Sequence, residues 1–320
     1  MRAAFIPRLG PASDIRYGEV PEPVPGPTDV LVDVAAVSVN PVDTFVRSGL
    51  FRTPLPFPFV IGRDLVGTVV RAGPGAPRFA PGDRVWTNSL GHDGRQGAAA
   101  ERAAVPADRL YHLPPGVDPT TAVAVVHPAA TAYLALFTHG GLRTGETVLV
   151  GGGGGNVGGA LIVLAAEAGA RVVATARPAD AEHCRALGAT EVLDYRAPDL
   201  LDLVRAASPG GVDLHLDTSG TNDLTTAVDL LAPRGRIVLL AGARSRPELP
   251  AGQLYMKDGS IRGFVISHAS GATVNRLLAA GRLRPRALEV RPLSAAAETH
   301  QRLEKGELNG RRVVLTTPGR

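Results

Sequence analysis

The chain has 320 residues, of which 44% are hydrophobic and 20% charged, and its formal net charge is +4. This composition is typical of a folded globular protein, and the length suits two domains of ordinary size. The longest apolar stretches, such as Ala160–Ala166, are shorter than the roughly 20 residues that cross a bilayer, and no secretory signal is apparent at the N-terminus. We therefore expect a cytoplasmic protein without a membrane partner.

The basic residues and the single cysteine exclude two further classes. The 34 Lys and Arg residues are scattered among 30 acidic ones, Arg311–Arg312 is the only adjacent basic pair, and aromatic residues make up 4%. Such a composition is poorly suited to base stacking or to a basic groove that follows phosphates, so we do not expect a nucleic-acid partner. Because Cys184 is the only cysteine, an intrachain disulfide and a zinc site built on cysteine pairs are excluded.

The first 120 residues are rich in Gly and Pro and contain short apolar runs. Val30–Val39, Leu65–Val70 and Arg84–Trp86 are the clearest of them, and turn residues separate these runs. Short strands with frequent turns predict a compact, mostly β domain. The proline-rich stretch Pro21–Pro27 predicts an exposed connection, because proline is excluded from central strands and from helix interiors.

From about Gly145 onward, strand-like and helix-like segments alternate. In chain order they are Thr147–Val150, Val157–Ala168, Arg171–Ala176, Ala181–Leu187, Glu191–Tyr195, Leu200–Ala206, Asp213–Thr218, Asp223–Leu231, Arg236–Ala241 and Ser260–Ile266. Six nearly apolar strands with helices between them predict a doubly wound parallel sheet that helices cover on both faces. The fold class is therefore α/β.

The segment after Gly271 predicts a helix to about Leu283, followed by a mixed tail that ends in the strand Arg312–Thr316. That strand has no partner in a completed six-stranded sheet. It could return to the N-terminal domain, which would make that domain discontinuous.

A glycine-rich loop joins the first strand of the α/β region to its first helix. Gly152, Gly155 and Gly158 have the G-x-x-G-x-x-G spacing. Such a loop gives a tight turn, a bare backbone for a pyrophosphate and close packing of helix on strand, and the helix N-terminus attracts the phosphate charge. Because further βα units follow, the loop predicts a dinucleotide site, and its candidate contacts are Gly152, Gly154, Gly155, Asn156, Val157 and Gly158.

The end of the second strand, Arg171–Ala176, indicates which dinucleotide binds. NAD sites usually carry an Asp or Glu there, whereas this chain has Ala174, Thr175 and Ala176 followed by Arg177. There is therefore no carboxylate in this segment to repel a 2′-phosphate, and the arginine could pair with that phosphate. The alternative is that Arg177 is a solvated loop residue. We expect NADPH, with Thr175 and Arg177 among its contacts.

Several segments together resemble a known family over essentially the whole chain. They are Val37–Gly49, Ile61–Gly67, Phe79–Val85, Asp93–Ala98, Ala129–Tyr133 and the glycine loop. The chain resembles the zeta-crystallin-like quinone oxidoreductase branch of the medium-chain dehydrogenases/reductases. The resemblance implies a GroES-like domain of residues 1–122 and 268–320 and a Rossmann domain of residues 123–267. It also implies a ligand cleft where the two domains meet.

The resemblance also bears on the metal. Zinc alcohol dehydrogenases of this superfamily carry a metal-binding cysteine where this chain has Val39–Asn40, and a Gly-His-Glu motif where it has Gly62-Arg63-Asp64. They also carry a four-cysteine lobe that this chain lacks. We therefore expect no zinc and no flavin, and a substrate electrophilic enough to accept hydride from the nicotinamide without a strong Lewis acid.

Candidate catalytic residues follow by resemblance. Asn40 could orient the substrate carbonyl or the cofactor, and Asp43 could fix a neighbouring loop. Local readings compete, since Asn40 could open a turn before Pro41 and Asp43 could cap the next helix. Thr131 matches a threonine near the nicotinamide carboxamide, although a threonine in a helix often bonds back to the preceding turn.

The expected substrate contacts are Phe45, Phe51 and His127. Several relatives have Tyr where this chain has Phe45, so that hydroxyl is lost and the two phenylalanines are expected to form an apolar wall. His127 could be a proton donor near neutral pH, but relatives are commonly apolar at this position. A structural histidine is the competing interpretation.

Other expected cofactor contacts also follow by resemblance. Tyr195 matches a position that packs against the adenosine phosphate end, and Gly242 lies where relatives approach the nicotinamide ribose. Phe264 and Ile266 are expected near the nicotinamide. Asn156 replaces a loop glycine, which an asparagine tolerates best if the position has positive φ.

The leading hypothesis is an NADPH-dependent, zinc-independent quinone oxidoreductase. An NADPH-dependent enoyl or enone reductase of polyketide-type biosynthesis is the nearest alternative, and a non-catalytic NADPH-binding sensor or structural protein is an alternative of another class. Relatives usually form homodimers through the outer strand of the Rossmann sheet, here predicted as Ser260–Ile266. Pairing of such an edge strand between subunits would protect it from solvent.

Overall fold

A computed structural model describes residues 1–265 and 271–317 of the chain. The strands in chain order are β1 (Arg2–Ile6), β2 (Arg16–Glu19), β3 (Asp29–Ser38), β4 (Phe59–Val60), β5 (Asp64–Ala72), β6 (Arg84–Thr87), β7 (Arg102–Pro106), β8 (Tyr111–His112), β9 (Thr147–Gly151), β10 (Arg171–Ala176), β11 (Glu191–Asp194), β12 (Val212–Asp217), β13 (Leu231–Leu239), β14 (Ser260–Gly263), β15 (Leu288–Pro292) and β16 (Arg312–Thr316). The α-helices are α1 (Pro41–Ser48), α2 (Pro119–Tyr133), α3 (Asn156–Glu167), α4 (Ala181–Ala186), α5 (Leu200–Ala207), α6 (Leu224–Leu230), α7 (Ala251–Met256), α8 (Gly271–Ala279) and α9 (Ala296–Glu304).

The chain divides into two compact units. The first unit comprises Met1–His127 and Ser270–Arg320, and the second comprises Pro128–Ala269. The first unit is therefore discontinuous in sequence.

The first unit is built on antiparallel strands. Its larger sheet has the order β15-β16-β3-β5-β6-β8, with β7 also paired to β3, and a smaller sheet has the order β2-β1-β4. The long strand β3 anchors the larger sheet because its run of Val, Leu and Ala side chains is almost wholly buried. The sequence predicted that the last strand returns to this region, and β16 does so by pairing antiparallel to β3 and parallel to β15.

The second unit contains the predicted doubly wound sheet. Among its described residues, six parallel strands lie in the order β11-β10-β9-β12-β13-β14. The order reverses its direction between β9 and β12, and ligands of open α/β sheets bind beyond the carboxyl ends of the strands at such a point. Strands β9, β10 and β12 carry Val, Leu and Ala side chains that are largely buried, as expected for a sheet that helices cover. The predicted α/β fold, with a mostly β unit and a doubly wound parallel sheet, is thus confirmed.

Two predicted segments differ from the observed ones. The last strand of the parallel sheet was predicted as Ser260–Ile266, but β14 ends at Gly263, and Ile266 lies outside the described residues. Of the residues of β14, Ile261 is only partly buried and Arg262 is exposed, so this edge strand is less apolar than predicted. Strand β13 begins at Leu231, earlier than the predicted Arg236, because its pairing with β12 contains a register shift.

The helix that begins at Pro119 is longer than the apolar runs in the sequence suggest. It continues beyond α2 as a π-helical segment to His139, and these 21 residues are long and apolar enough to cross a membrane by length and composition. Most of this stretch is buried within the protein. Burial of this kind is typical of a core helix, so the helix is weak evidence for a membrane span.

Candidate active site

The loop between β9 and α3 has the backbone that a phosphate cradle requires. Gly152 has φ +77°, a conformation that glycine adopts without strain. A Cβ atom on Gly158 would lie 2.1 Å from the carbonyl oxygen of Gly152, so only glycine permits this approach of helix to loop. Thr175 of β10 supports the loop, because its carbonyl oxygen accepts a hydrogen bond from the Gly153 N–H at 2.8 Å.

The N-terminus of α3 opens directly from this loop. Gly155 is its N-cap residue, and as a glycine it brings no side chain to cap the first-turn amides. The first-turn amides of a helix have no acceptor within the helix, and together with the helix dipole they form an anion site. Asn156 and Val157 are the first two helical residues, and Asn156 is not among the residues with positive φ. The position of Asn156 therefore does not require a positive φ, which was the condition considered from the sequence.

Arg177 follows β10 and is fixed by a carboxylate that the sequence analysis did not single out. Its Nε and Nη2 atoms donate to the two oxygens of Asp180 at 2.9 and 3.4 Å. Asp180 is buried, and a Cβ on Gly154 would lie 2.6 Å from its Oδ2 atom. The Arg177 side chain is half exposed. The arginine is thus neither a free solvated residue nor buried, and it is held close to the glycine loop.

Tyr195 lies just beyond β11, the strand next to β10. Its side chain is 45% exposed, and the Arg196 guanidinium lies 5.2 Å from its ring centroid. Tyr195 also contributes to raising the pKa of Arg177, after the larger effects of Asp180, so the two side chains lie within electrostatic range of each other. An exposed aromatic ring and two arginines therefore cluster at the carboxyl ends of β10 and β11.

The other predicted cofactor residues of the second unit lie apart from the loop. Gly242 has φ +77°, and a Cβ there would lie 2.4 Å from the Gly220 oxygen. Phe264 stacks on the ring of His139 at 4.6 Å and packs against a small apolar cluster in the same unit. Thr131 is a buried residue of α2. None of these observations tests a role in cofactor binding, which stays a prediction for all three residues.

In the first unit, the carboxylate of Asp64 lies at the centre of a buried polar cluster. It accepts hydrogen bonds from Ser38 Oγ at 3.0 Å, from Asn40 Nδ2 at 2.7 Å and from the Ser89 N–H at 3.2 Å. His127 Nδ1 lies 3.1 Å from its Oδ2 atom. Although burial raises the pKa of Asp64, the adjacent His127 and these hydrogen bonds bring it below its ordinary value.

Both the nitrogen and the oxygen of the Asn40 side-chain amide form hydrogen bonds within this cluster. Nδ2 donates to Asp64 and to Ser38, and Oδ1 accepts from Arg312 Nη2 at 2.7 Å. Arg312 is itself buried and donates from Nε to the Ala124 carbonyl at 2.8 Å. Both amide hydrogens of Asn40 are therefore engaged within the protein.

Asp43 lies in the first turn of α1 and faces the same cluster. Its Oδ2 accepts the N–H of Asn40 at 2.7 Å, as a helix-capping carboxylate does, while its buried Oδ1 has no hydrogen-bond partner among the described residues. Burial, followed by the charge of Asp64, raises the pKa of Asp43 to about 7. Oδ2 of Asp43 therefore has the local role of capping the helix, and Oδ1 is the oxygen to which a functional role would apply.

Arg63 lies immediately before β5 and is also buried, at 3% exposure. Its Nε and Nη1 atoms have no hydrogen-bond partner among the described residues. Burial lowers the pKa of Arg63, and the charges of Asp43 and Asp64 oppose that shift. The first unit thus contains a buried cation with two donor nitrogens, Nε and Nη1, that have no acceptor among the described residues.

The predicted aromatic wall is only partly formed. Phe45 and Phe51 are both partly buried, and the Phe51 N–H donates to the Phe45 carbonyl at 3.0 Å. Phe51 packs against the hydrophobic core of the first unit and lines a surface cavity with Leu55 and Leu9. Phe45 does not line that cavity.

Sequence reasoning missed Asp64, Arg63, Arg312 and Asp180 as site residues. The Gly62-Arg63-Asp64 motif was noted only for its lack of a zinc ligand. A charged pair inside an otherwise apolar stretch that enters a strand was the available signal, because buried charges need partners. Nothing in the sequence indicated that Arg312 would reach Asn40, 272 residues away.

The residues present fit a dinucleotide better than a metal. The bare loop, the uncapped helix and the exposed Arg177 are suited to phosphate groups. Within residues 1–265 and 271–317, no group of three His, Cys, Asp or Glu side chains is arranged to hold a metal ion.

Comparisons with known proteins agree with this architecture. Residues 26–115 match the family model of the alcohol dehydrogenase GroES-like domain, and residues 156–280 match the model of zinc-binding dehydrogenases. A quinone oxidoreductase of Sus scrofa is 31% identical over 301 residues, which cover 91% of this chain and 90% of the relative.

Solved structures are similar over nearly the full length. An NAD-dependent alcohol dehydrogenase superposes with a TM-score of 0.89 at 32% identity and covers 99% of this chain and 100% of its own. A mycobacterial protein in complex with NADPH superposes with a TM-score of 0.82 at 28% identity, over 99% of each chain. The chain therefore belongs to the medium-chain dehydrogenase/reductase superfamily, in its quinone oxidoreductase branch, and is an oxidoreductase of that family.

Proposed function

We propose that this protein is a zinc-independent reductase that uses NADPH to reduce a quinone or a similar conjugated carbonyl compound. The observation that carries the proposal is the uncapped N-terminus of α3 behind the Gly152–Gly155 loop, with the half-exposed Arg177 at the end of the adjacent strand. Anionic phosphate groups are the ligands that such a helix end and such an arginine bind.

The choice of NADPH over NADH depends on the pair of Arg177 and Asp180. A free carboxylate at the end of β10 would favour ribose hydroxyls and repel a 2′-phosphate. Asp180 instead accepts hydrogen bonds from Nε and Nη2 of Arg177, which offset its negative charge, and Nη1 of the arginine takes no part in that pair. A mycobacterial relative was solved with NADPH, whereas another similar structure is of an NAD-dependent enzyme. The relatives alone therefore do not decide between the cofactors.

Bound NADPH would supply the hydride and the two electrons of the reduction. The chain's own groups would do the rest: the loop and Arg177 hold the phosphates, and the apolar Phe45 and Phe51 suit a hydrophobic acceptor. The zinc-independent character is supported by the donor set, because Val39–Asn40 and Gly62-Arg63-Asp64 stand where zinc enzymes of the superfamily carry a metal-binding cysteine and a Gly-His-Glu motif. An amide whose hydrogens are both engaged and a guanidinium are poor ligands for zinc.

The first experiment is oxidation of NADPH and of NADH by the purified protein with a panel of quinones and α,β-unsaturated ketones, with and without a chelator. We expect turnover of quinones, preference for NADPH and no effect of the chelator. If only enones are turned over, the protein is an enone reductase and not a quinone reductase. Tight NADPH binding without turnover of any acceptor would favour a sensor or a structural protein.

Variants of the two ends of β10 test the cofactor preference. Arg177→Ala should weaken NADPH binding severalfold or more and leave NADH binding unchanged, because only NADPH carries the 2′-phosphate. Arg171→Ala, at the opposite end of the same strand, is the matched control. Asp180→Asn should also weaken NADPH binding, since it loosens Arg177. Improved NADPH binding in that variant would instead indicate that Asp180 repels the 2′-phosphate.

We also propose that the protein forms a homodimer through β14, since this strand lies at the edge of the parallel sheet. Sedimentation analysis tests this, and a monomer at micromolar concentration would refute it.

A further inference from the structure

Arg63 is a buried arginine that is only partly hydrogen-bonded at most, because two of its three nitrogens lack an acceptor in the part of the chain that the structure describes. Its residue is 3% exposed, and neither Nε nor Nη1 has an acceptor among the described residues. Buried polar groups are nearly always hydrogen-bonded, and two guanidinium nitrogens without acceptors lose their hydration without compensation. Such a group is destabilising for the folded chain, so its presence points to an acceptor that arrives from outside.

Neither of the two buried carboxyl groups near Arg63 accepts a hydrogen bond from Nε or Nη1. Asp64 is saturated by Ser38, Asn40, Ser89 and His127, and it supplies no acceptor to Nε or Nη1 of Arg63. The second nearby carboxyl group, that of Asp43, uses Oδ2 for the N–H of Asn40 and leaves Oδ1 without a partner. The cluster therefore contains an unused cationic donor and an unused carboxyl oxygen within electrostatic range of each other.

We propose that Arg63 is the catalytic electrophile, whose Nε–H and Nη1–H groups bind the substrate oxygen on which negative charge develops, and that the carboxyl group of Asp43 is the proton donor to the reduced substrate. This inference rests on the proposed reductase function. The substrate class is a carbonyl compound whose reduction passes through an enolate or phenolate oxygen. Charged donors aimed at such an oxygen in a buried site are among the largest contributions to catalysis.

The reaction balances with these groups. In an enone, the hydride forms a C–H bond at the β-carbon, the π electrons move to the carbonyl oxygen, and the resulting enolate takes one proton to give the saturated ketone. In a quinone, the hydride and its two electrons give the hydroquinone monoanion, which takes one proton to give the hydroquinone. NADPH is oxidised to NADP⁺ in both cases, and the proton that Asp43 gives is regained from water.

The protonation state of Asp43 suits a donor near neutral pH. Burial and the charge of Asp64 raise its pKa to about 7, while the Asn40 N–H, His127 and Arg63 lower it. Arg312, on β16, also interacts electrostatically with Asp43. An acid is most effective when its pKa lies near the working pH.

The test uses Arg63→Met and Arg63→Lys, with Arg109→Met as a control that removes a neighbouring arginine whose charge acts on Arg63. Arg63→Met should lower kcat by about 10²- to 10³-fold, the usual effect of losing an oxyanion donor. Arg63→Lys should recover part of the loss, and Arg109→Met should keep most of the activity. NADPH affinity, measured by fluorescence titration, should be the same in all the proteins.

A second readout does not require turnover. 4-Nitrophenol, whose absorbance distinguishes phenol from phenolate, is titrated into each protein with NADP⁺ bound. Wild type should bind the phenolate form and lower the pKa of the bound probe, and Arg63→Met should not. The melting temperature of Arg63→Met should stay the same or rise, because the variant removes an unsatisfied buried charge.

The outcomes separate the inference from the proposed function. Full kcat in Arg63→Met, or the same phenolate signal in that variant as in wild type, would overturn the role of Arg63. A large fall in its melting temperature would also overturn it, since that result marks a structural arginine. Absence of NADPH oxidation by wild type with every acceptor would refute the reductase function itself, while the phenolate titration would still report on Arg63 as an oxyanion site.

Discussion

Replacement of Asp43 by asparagine should remove a pH-dependent loss of stability. In the folded protein the pKa of Asp43 is raised from 3.8 to about 7, mainly by burial and then by the charge of Asp64. Between these two pH values the folded chain keeps the proton on Asp43 while the unfolded chain releases it. Stability from this group is therefore present below pH 3.8 and is lost as the pH rises towards 7.

The magnitude follows from the size of the shift. About three pKa units, at about 1.4 kcal/mol for each, correspond to about 4 kcal/mol of unfolding free energy. The asparagine side chain in Asp43→Asn would carry no charge and would still accept the N–H of Asn40 through its amide oxygen, so the end of α1 would stay capped. We expect wild type to lose about 1.4 kcal/mol per pH unit relative to Asp43→Asn between about pH 4 and 7, and nothing further above 7.

The assay is urea unfolding of wild type and Asp43→Asn at half-unit steps from pH 4 to 8.5. The free-energy difference between the two proteins is plotted against pH, so that the titrations of all other groups largely cancel. Asp108→Asn, at an exposed position, controls for the loss of one negative charge. A pH-independent difference between wild type and Asp43→Asn would refute the reasoning, because it would mean that Asp43 ionises alike in the folded and unfolded chains.

Three further predictions concern other parts of the molecule. Gly158→Ala places a Cβ 2.1 Å from a loop carbonyl oxygen and should cost about 1–3 kcal/mol of stability and weaken NADPH binding in calorimetry, whereas Gly252→Ala, with no atom within 4 Å of the added Cβ, should do neither. Burial, followed by the charge of a nearby arginine, lowers the pKa of His300 from 6.5 to about 3. Wild type should therefore lose stability relative to His300→Leu as the pH falls below 6.5. The same difference in unfolding free energy between the two proteins at about pH 4 and about pH 7, measured with urea, would contradict this. Glu146→Gln weakens a paired contact in which Arg236 donates at 2.8 and 2.6 Å and should lower the unfolding free energy by about 1–3 kcal/mol, and an unchanged urea midpoint would show that this ion pair adds nothing.

The strands and the glycine loop of the second unit were largely predictable, because the sequence signals for them lie in short contiguous stretches. Strand β10 has the predicted bounds Arg171–Ala176, since an apolar run between a glycine-containing turn and an arginine indicates a buried parallel strand. The glycine loop was equally visible, because all of its functional atoms belong to consecutive backbone units. Short strands such as β4 and β8 were not predicted, because two residues carry no periodicity.

The polar cluster of the first unit was only partly predictable. Asn40 and Asp43 were candidates through the resemblance, but their environment depends on residues from distant parts of the chain. Arg63, Asp64 and Arg312 meet only in the folded structure, and a sequence does not state which arginine is buried. The raised pKa of Asp43 is a consequence of that burial and so could not be foreseen from α1 alone.

The position of β16 between β15 and β3 has a consequence for how the protein is made. Arg312 completes the hydrogen bonding of Asn40 from 272 residues further along the chain. At about 5–20 residues per second, a ribosome needs roughly 15 to 55 seconds to synthesise that stretch. During this time β3 lacks one of its neighbours and presents an open sheet edge to other nascent chains. The nucleotide-binding unit, in contrast, is complete once residue 269 has emerged. A newborn chain would therefore be able to fold its parallel-sheet unit before the buried polar cluster of the first unit is complete.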